Sequence, residues 1–126
     1  MTTVTRENQP STAALFSVVI PNWNGIRFLP TCLDALAQQT HQRLEIIVAD
    51  NASKDGSKDL IRSRYPHVKL VELPDNRGFT GACNAGIAAS SGDYIALLNN
   101  DTEVDSGWAT AVVSAFERHP EVGIVA

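Results

Sequence analysis

Tyr94-Ile95-Ala96-Leu97-Leu98 runs without a break into Asn99-Asn100-Asp101. A short apolar run of this kind reads as a strand buried on both faces of a parallel sheet. The polar cluster then stands at the strand's carboxyl end, the edge at which open α/β sheets bind ligands. A carboxylate flanked by two amides there suits a hard divalent cation, Mg²⁺ or Mn²⁺, and such a cation in turn holds a diphosphate. Two amides and an acid have little to offer packing. Their other reading is a cap or staple for the loop that follows.

Outward from this strand the pattern alternates. Phe16 to Ile20 reads as a strand stopped by Pro21 and the turn formers Asn22, Asn24 and Gly25. Phe28, Leu29, Cys32, Leu33, Leu36 and Ala37 recur at helical spacing and predict a helix over 27–39. Leu44 to Ala49 is a second strand, ending in Asp50-Asn51. Ser57 to Tyr65 is a helix that Pro66 cannot continue. Val68 to Leu73 is a third strand, and Phe79 to Ser90 is a helix of small residues closed by Gly92. After Tyr94 to Leu98, Asp105 or Ser106 caps a helix over 107–118, ended by His119-Pro120. Val122 to Ala126 starts a fifth strand.

The order β-α-β-α-β-α-β-α-β, with crossovers long enough for right-handed βαβ units, predicts a three-layer α/β/α domain. Its sheet is mostly parallel and doubly wound. Residues 1–15, polar and without periodicity, read as a flexible N-terminal arm, and residues 16–126 as the folded part. A chain that stops inside an apolar strand reads as the front part of something longer.

Composition narrows the function classes. A chain of 126 residues is one domain or a piece of one. Its formal net charge of -4 argues against bulk nucleic-acid binding, which rewards a basic face. No apolar run approaches the ~20 residues of a membrane span. Residues 1–15 lack the basic start and apolar core of a secretory signal. Cys32 and Cys83 fall in predicted helices and read as small buried apolar residues of a reducing cytosol. His41, His67 and His119 sit at helix ends or loops, where surface or capping roles suffice. Asp105, following Glu103, reads as a helix cap.

Four segments carry the polar chemistry, and a parallel sheet brings them to one edge. Pro21-Asn22-Trp23-Asn24-Gly25 is a cradle for a base or ribose, or else a turn with an Asn cap. Asp50, ending a buried strand, accepts from a pyrimidine imide or a ribose hydroxyl, or else forms an Asx turn into Ser53 to Ser57. Arg77-Gly78, ahead of a helix start with Gly81, Asn84 and Gly86, favours an anion, or else reflects tight helix–sheet packing. Asn99-Asn100-Asp101 is the fourth. Neither common glycine-rich phosphate loop is present.

Taken together, these residues resemble the family 2 glycosyltransferases, inverting enzymes of the GT-A fold. The matching text is Ser17 to Gly25, Ile46 to Ser57, Asn76-Arg77-Gly78-Phe79 with Asn84-Ala85-Gly86, and Leu97 to Thr102. The last motif is most similar to the rhamnosyltransferase-like bacterial branch, which points to cell-surface polysaccharide synthesis. The resemblance implies that Pro21, Asn22, Trp23 and Asn24 line a nucleotide and that Asp50 contacts its base. Arg77, Gly78 and Asn84 would lie near the base or diphosphate. Asn99, Asn100 and Asp101 align with an Asp-x-Asp-type element, in which Asp101 holds the Mg²⁺ or Mn²⁺. Both earlier positions of that element are Asn here. The implied partners are a UDP- or dTDP-linked sugar and a glycan or lipid-linked acceptor, in the cytoplasm or at the inner face of the membrane. The family's general base belongs to an acceptor half with no counterpart in this chain, so no catalytic residue is assigned. A non-catalytic nucleotide-binding or interaction module of the same fold is the alternative. A receiver-type signalling domain would need an acidic pair after the first strand and a late Lys, and has neither.

Overall fold

The structure is a computed structural model and describes residues 13–126. The predicted arm therefore lies, up to Thr12, outside the described residues. Four strands and four helices alternate: β1 (Phe16–Asn22), α1 (Leu29–Ala37), β2 (Leu44–Asp50), α2 (Ser57–Arg64), β3 (Lys69–Glu72), α3 (Gly78–Ala89), β4 (Tyr94–Leu97) and α4 (Trp108–Arg118). The strands are parallel, in the order β3-β2-β1-β4. The chain moves from β1 to β2 to β3 in one direction and then returns across β1 to reach β4. Right-handed crossovers in opposite directions put their helices on opposite faces. Accordingly α1 and α2 lie on one face and α3 on the other.

The larger core lies on the first face. Phe16, Val18 and Ile20 of β1 and Ile46 and Val48 of β2 meet Leu29, Cys32, Leu33 and Leu36 of α1, Ile61 of α2, and Ala109 and Val113 of α4. The buried residues of α1 follow the i, i+3, i+4, i+7 rule, and Pro30 falls in the first turn, where its missing N–H does no harm. α4 starts with help from a distant side chain. Gln39 is buried, accepts from Ala109 N at 2.9 Å and donates to Asp105 O at 2.7 Å. Asp105 does not cap the helix as expected. Its carboxylate accepts from Gly107 N at 3.0 Å in a turn ahead of the first helical residue.

The other face is thinner. Ala49 and Leu73 pack with Ala82 of α3, and Gly86 lies directly over Val19. Ile95 and Leu97 share this face with Val19 but are 42% and 51% exposed. The expectation that β4 is buried on both faces is thus corrected. α3 lies over β1 and β2, and β4 is a sheet edge among the described residues. A second correction concerns Val122 to Ala126, which form no strand. No described strand runs beside them, and an extended segment without a ladder gains nothing over hydration. A third concerns Pro21, which lies within β1 rather than ending it. Pairing with β4 extends only to Leu98 N on Val19 O, so the missing N–H of Pro21 faces a side without a partner strand. Among the described residues no helix is long and apolar enough to cross a membrane.

The loops after β1 and β2 are tied together by Asp55. Its carboxylate accepts from Ile26 N at 2.9 Å and from Ser57 N at 3.0 Å. Burial works to raise the Asp55 carboxyl, but hydrogen bonds from the Ser57 hydroxyl and the Ile26 and Ser57 amides outweigh it, leaving it below its ordinary 3.8.

Two outcomes are expected. A methyl group at Gly86 would drive into Val19 Cγ1, so Gly86→Ala should lower stability by about 1–3 kcal/mol despite the better helix propensity of Ala. An unchanged urea midpoint would contradict this packing. Asp55→Ala should cost about 1–2 kcal/mol near neutral pH. A carboxyl lowered by folding stabilises above its unfolded value and loses that effect as pH falls through the folded one. The gap between variant and parent should therefore narrow below pH 3.8. A gap constant across that range, in urea titrations of both proteins, would refute the clamp.

Candidate functional site

The winding of the sheet reverses between β1 and β4. Outside the carboxyl ends of strands at such a switch point the loops diverge and leave a crevice. Here the crevice is a cleft of about 390 Å³, lined by Pro21, Asn22 and Trp23 after β1, Asn51 after β2, Asn76, Gly78 and Phe79 at the start of α3, and Asn99, Asn100 and Asp101 after β4. Its size is that of a small-molecule site. Asn99 and Asp101 are exposed, and Asp101 is the only carboxylate among the described lining residues. Trp23 and Phe79 are 58% and 59% exposed and present aromatic surface at the cleft.

Of the residues expected at the site, Pro21, Asn22, Trp23, Gly78, Asn99, Asn100 and Asp101 meet in this cleft. Four do not line it. Asn24 lines an adjoining cleft of about 410 Å³, which shares Trp23 and Asn76 with the first and adds Lys54 and Asp75. Asp50, expected to meet a base directly, has no exposed surface. Its oxygens are taken by Ser53 N at 2.8 Å, Ser53 Oγ at 2.7 Å and Asn22 Nδ2 at 2.9 Å. Arg77 is exposed and its Nε pairs with Asp75 Oδ1 at 2.9 Å. Asn84 lies in the middle of α3 on the exposed side, between the buried Cys83 and Gly86.

Asn51, Asn76 and Phe79 line the cleft in addition to the residues expected there. Asn51 works as a clamp: its Nδ2 donates to Gly78 O at 3.0 Å and its Oδ1 accepts from Arg77 N at 3.1 Å. Asn76 Oδ1 accepts from Gly78 N at 2.8 Å. Two amide groups at the start of α3 are thereby engaged within the protein, which reduces what this helix end can offer an anion. The signals available were an Asn directly after a strand-ending Asp, and one large aromatic opening a helix of small residues.

The loops after β1 and β2 carry backbone strain next to the cleft. Asn24 has φ of 50° and Ala52 of 60°, the left-handed region, costing about 1–2 kcal/mol for a residue such as Ala. Reciprocal bonds hold them there: Asn24 N donates to Ser53 Oγ at 2.9 Å, and Lys54 N to Asn24 Oδ1 at 2.8 Å. Beneath the loop after β4, Cys32 Sγ lies 3.9 Å from Asn99 O. Burial, with a smaller contribution from the charge of Asp101, pushes the Cys32 thiol up to about 11. It is a packing residue, protonated and without nucleophilic character at neutral pH.

Known proteins resemble this chain in sequence and in fold. Residues 17–126 match the family described as glycosyl transferase family 2. Glycosyltransferase AglE of Haloferax volcanii is 33% identical over 111 residues, which are 84% of this chain and 36% of that protein. The structure of Staphylococcus aureus TarS 1-349 in complex with UDP aligns with a TM-score of 0.77 at 20% identity, covering 84% of this chain and 33% of that one. Mannosyltransferase PcManGT from Pyrobaculum calidifontis, solved with GDP-Man and Mn²⁺, aligns with a TM-score of 0.65 at 26% identity, covering 74% of this chain and 29% of that one. The chain spans about a third of the length of the curated relatives it matches. The parallel sheet, its helices and these matches agree on part of a GT-A fold, and the chain belongs to glycosyl transferase family 2.

Proposed function

We propose that this chain forms the donor side of an inverting glycosyltransferase and binds a UDP- or dTDP-linked sugar together with Mg²⁺ or Mn²⁺. The observation that carries the reading is the cleft at the switch point, where the exposed acid of Asp101 stands among amides and exposed aromatic faces. TarS and PcManGT, whose structures hold UDP and GDP-Man with Mn²⁺ respectively, support the ligand class. Trp23 and Phe79 offer flat apolar faces to a base, and the NH₂ of Asn76, whose oxygen is taken by Gly78 N, suits a ribose hydroxyl. Asp101 and the amide oxygens of Asn99 and Asn100 would supply hard oxygen donors of the kind that hold Mg²⁺ or Mn²⁺ with substrate phosphates. When bound, the cation offsets the charge that builds on the diphosphate as it departs.

In an inverting transfer the acceptor oxygen forms a bond to the anomeric carbon while the bond from that carbon to the diphosphate oxygen breaks. The diphosphate leaves with the electron pair, and the acceptor's proton passes to a general base. The one carboxylate among the described lining residues is assigned to the cation, so this reading places the base outside that set. A glycan or lipid-linked acceptor fits the same scheme, in the cytoplasm or at the inner face of the membrane.

Calorimetric titration with UDP and dTDP, with and without Mn²⁺, tests the proposal. Binding should require the metal. Asp101→Ala should weaken it by about tenfold or more, the equivalent of about 1.4 kcal/mol. Metal-independent binding, binding unaffected by Asp101→Ala, or no binding by a demonstrably folded chain would each refute it.

A further inference from the structure

A hydrogen-bonded line runs from the core to the cleft through Asp50, Asn22 and Asn100. Asp50 and Asn22 are buried. Ser53 N donates to one oxygen of Asp50, and Ser53 Oγ and Asn22 Nδ2 donate to the other. Asn100 Nδ2 then donates to Asn22 Oδ1 at 2.8 Å. A carboxylate accepts and does not donate, so Asn22 must turn its NH₂ inward and its oxygen outward. That oxygen needs a donor, so Asn100 must turn its NH₂ toward Asn22. An amide has one donating and one accepting end, so the direction imposed at Asp50 passes unchanged along the line. Asn100 Oδ1 has no hydrogen-bond partner among the described residues, and Asn100 lines the cleft beside Asp101. Gly25 admits the pair, since a Cβ there would run into both Asn100 Nδ2 and Asn22 Oδ1.

We propose that Asp50 is a positioning residue which, through Asn22, turns the carbonyl oxygen of Asn100 rather than its NH₂ toward a cation held by Asp101. The cation's part in this rests on the donor-site reading above; the direction of the amides does not. An Asn left to itself can present either end to a ligand, and only the oxygen serves a hard cation. The buried carboxylate removes that choice, so an amide can stand where a second acid would otherwise be needed.

The direction can be reversed without changing shape. In Asp50→Asn the N–H of Ser53 still needs an acceptor, so the new amide gives Ser53 its oxygen and Asn22 its NH₂. Asn22 and Asn100 must then both turn over, which brings an NH₂ into the cleft. Asn100→Asp alone sets a carboxylate against Asn22 Oδ1, two acceptors face to face. Combined, the two substitutions remove the conflict, because the reversed Asn22 offers its NH₂ to the carboxylate introduced at position 100.

Thermal melting of the full chain should show each single variant below the parent and the double variant above both. Additive losses would overturn the proposal, because a mere staple between strand ends has no direction to restore. Calorimetry with Mn²⁺ in the presence of UDP should show Asp50→Asn weakening the metal by about tenfold or more, the scale on which residues behind a metal ligand act. Starting from Asn100→Ala, the same substitution should change it by less than about twofold, since sites acting through a removed group lose their effect. An equal fall in both backgrounds would overturn the route through Asn100. If the parent chain binds no metal with UDP, the donor-site reading fails and the cation's part with it, and the melting cycle alone decides the direction of the amides.

Discussion

β1 is hydrogen-bonded along both edges and covered on both faces, and the place of the cleft follows from where that pairing stops. From Phe16 to Ile20 the strand has no exposed surface. Its bonds to β2 continue to Asn22, while those to β4 end near Val19 and Leu98. Past that point β1 and β4 separate, and the polar residues at their ends turn to each other or to the cleft between them. Parallel pairing thus decides both that a cleft exists and which residues line it.

The residues in and behind the cleft divide into two layers. The inner one, Asp50, Ser53 and Asn22, is buried and satisfied within the protein. Polar groups buried in this way hold their surroundings to one arrangement, because breaking a single bond leaves the others unpaired. The outer layer, Asn99, Asn100, Asp101, Trp23 and Phe79, is open to solvent in whole or in part. Asn51 and Asn76 join the two by fixing the loop that leads into α3. The strained Ala52 fits this picture, since the reciprocal bonds around it maintain a backbone that it would not adopt alone.

Much of this was legible in the sequence, for local reasons. Each strand and helix from Phe16 to Arg118 has its own periodicity and its own stop signals, and the βα alternation dictates parallel pairing with helices on both faces. The polar residues at the strand ends could be placed at one edge for the same reason. What failed to show depends on neighbours distant in sequence. Val122 to Ala126 has strand composition, but a strand is a relation to another strand. The run from Tyr94 to Leu98 is apolar throughout, yet composition does not say that α3 covers β1 and β2 and leaves Ile95 and Leu97 open. Asp50 gave no sign of facing inward, because its partner Asn22 lies 28 residues away. That Arg77 and Asn84 do not line the cleft has local reasons. Arg77 had Asp75 two positions off as an ion-pair partner, and the spacing of Ala82, Cys83 and Gly86 puts Asn84 on the opposite side of α3.

The proposed occupant of the cleft between the ends of β1 and β4 is a nucleoside diphosphate with a divalent cation. Paramagnetic broadening by Mn²⁺ in the presence of UDP, read from the backbone amide signals of the chain, places the metal directly. Signals from Asn99 to Thr102 should broaden first, followed by those around Trp23, with residues at the amino ends of the strands, such as Arg43 and Asp93, unaffected. Broadening centred elsewhere, for instance on the groove between His41 and His67, or none beyond that of free Mn²⁺ in solution, would contradict this assignment.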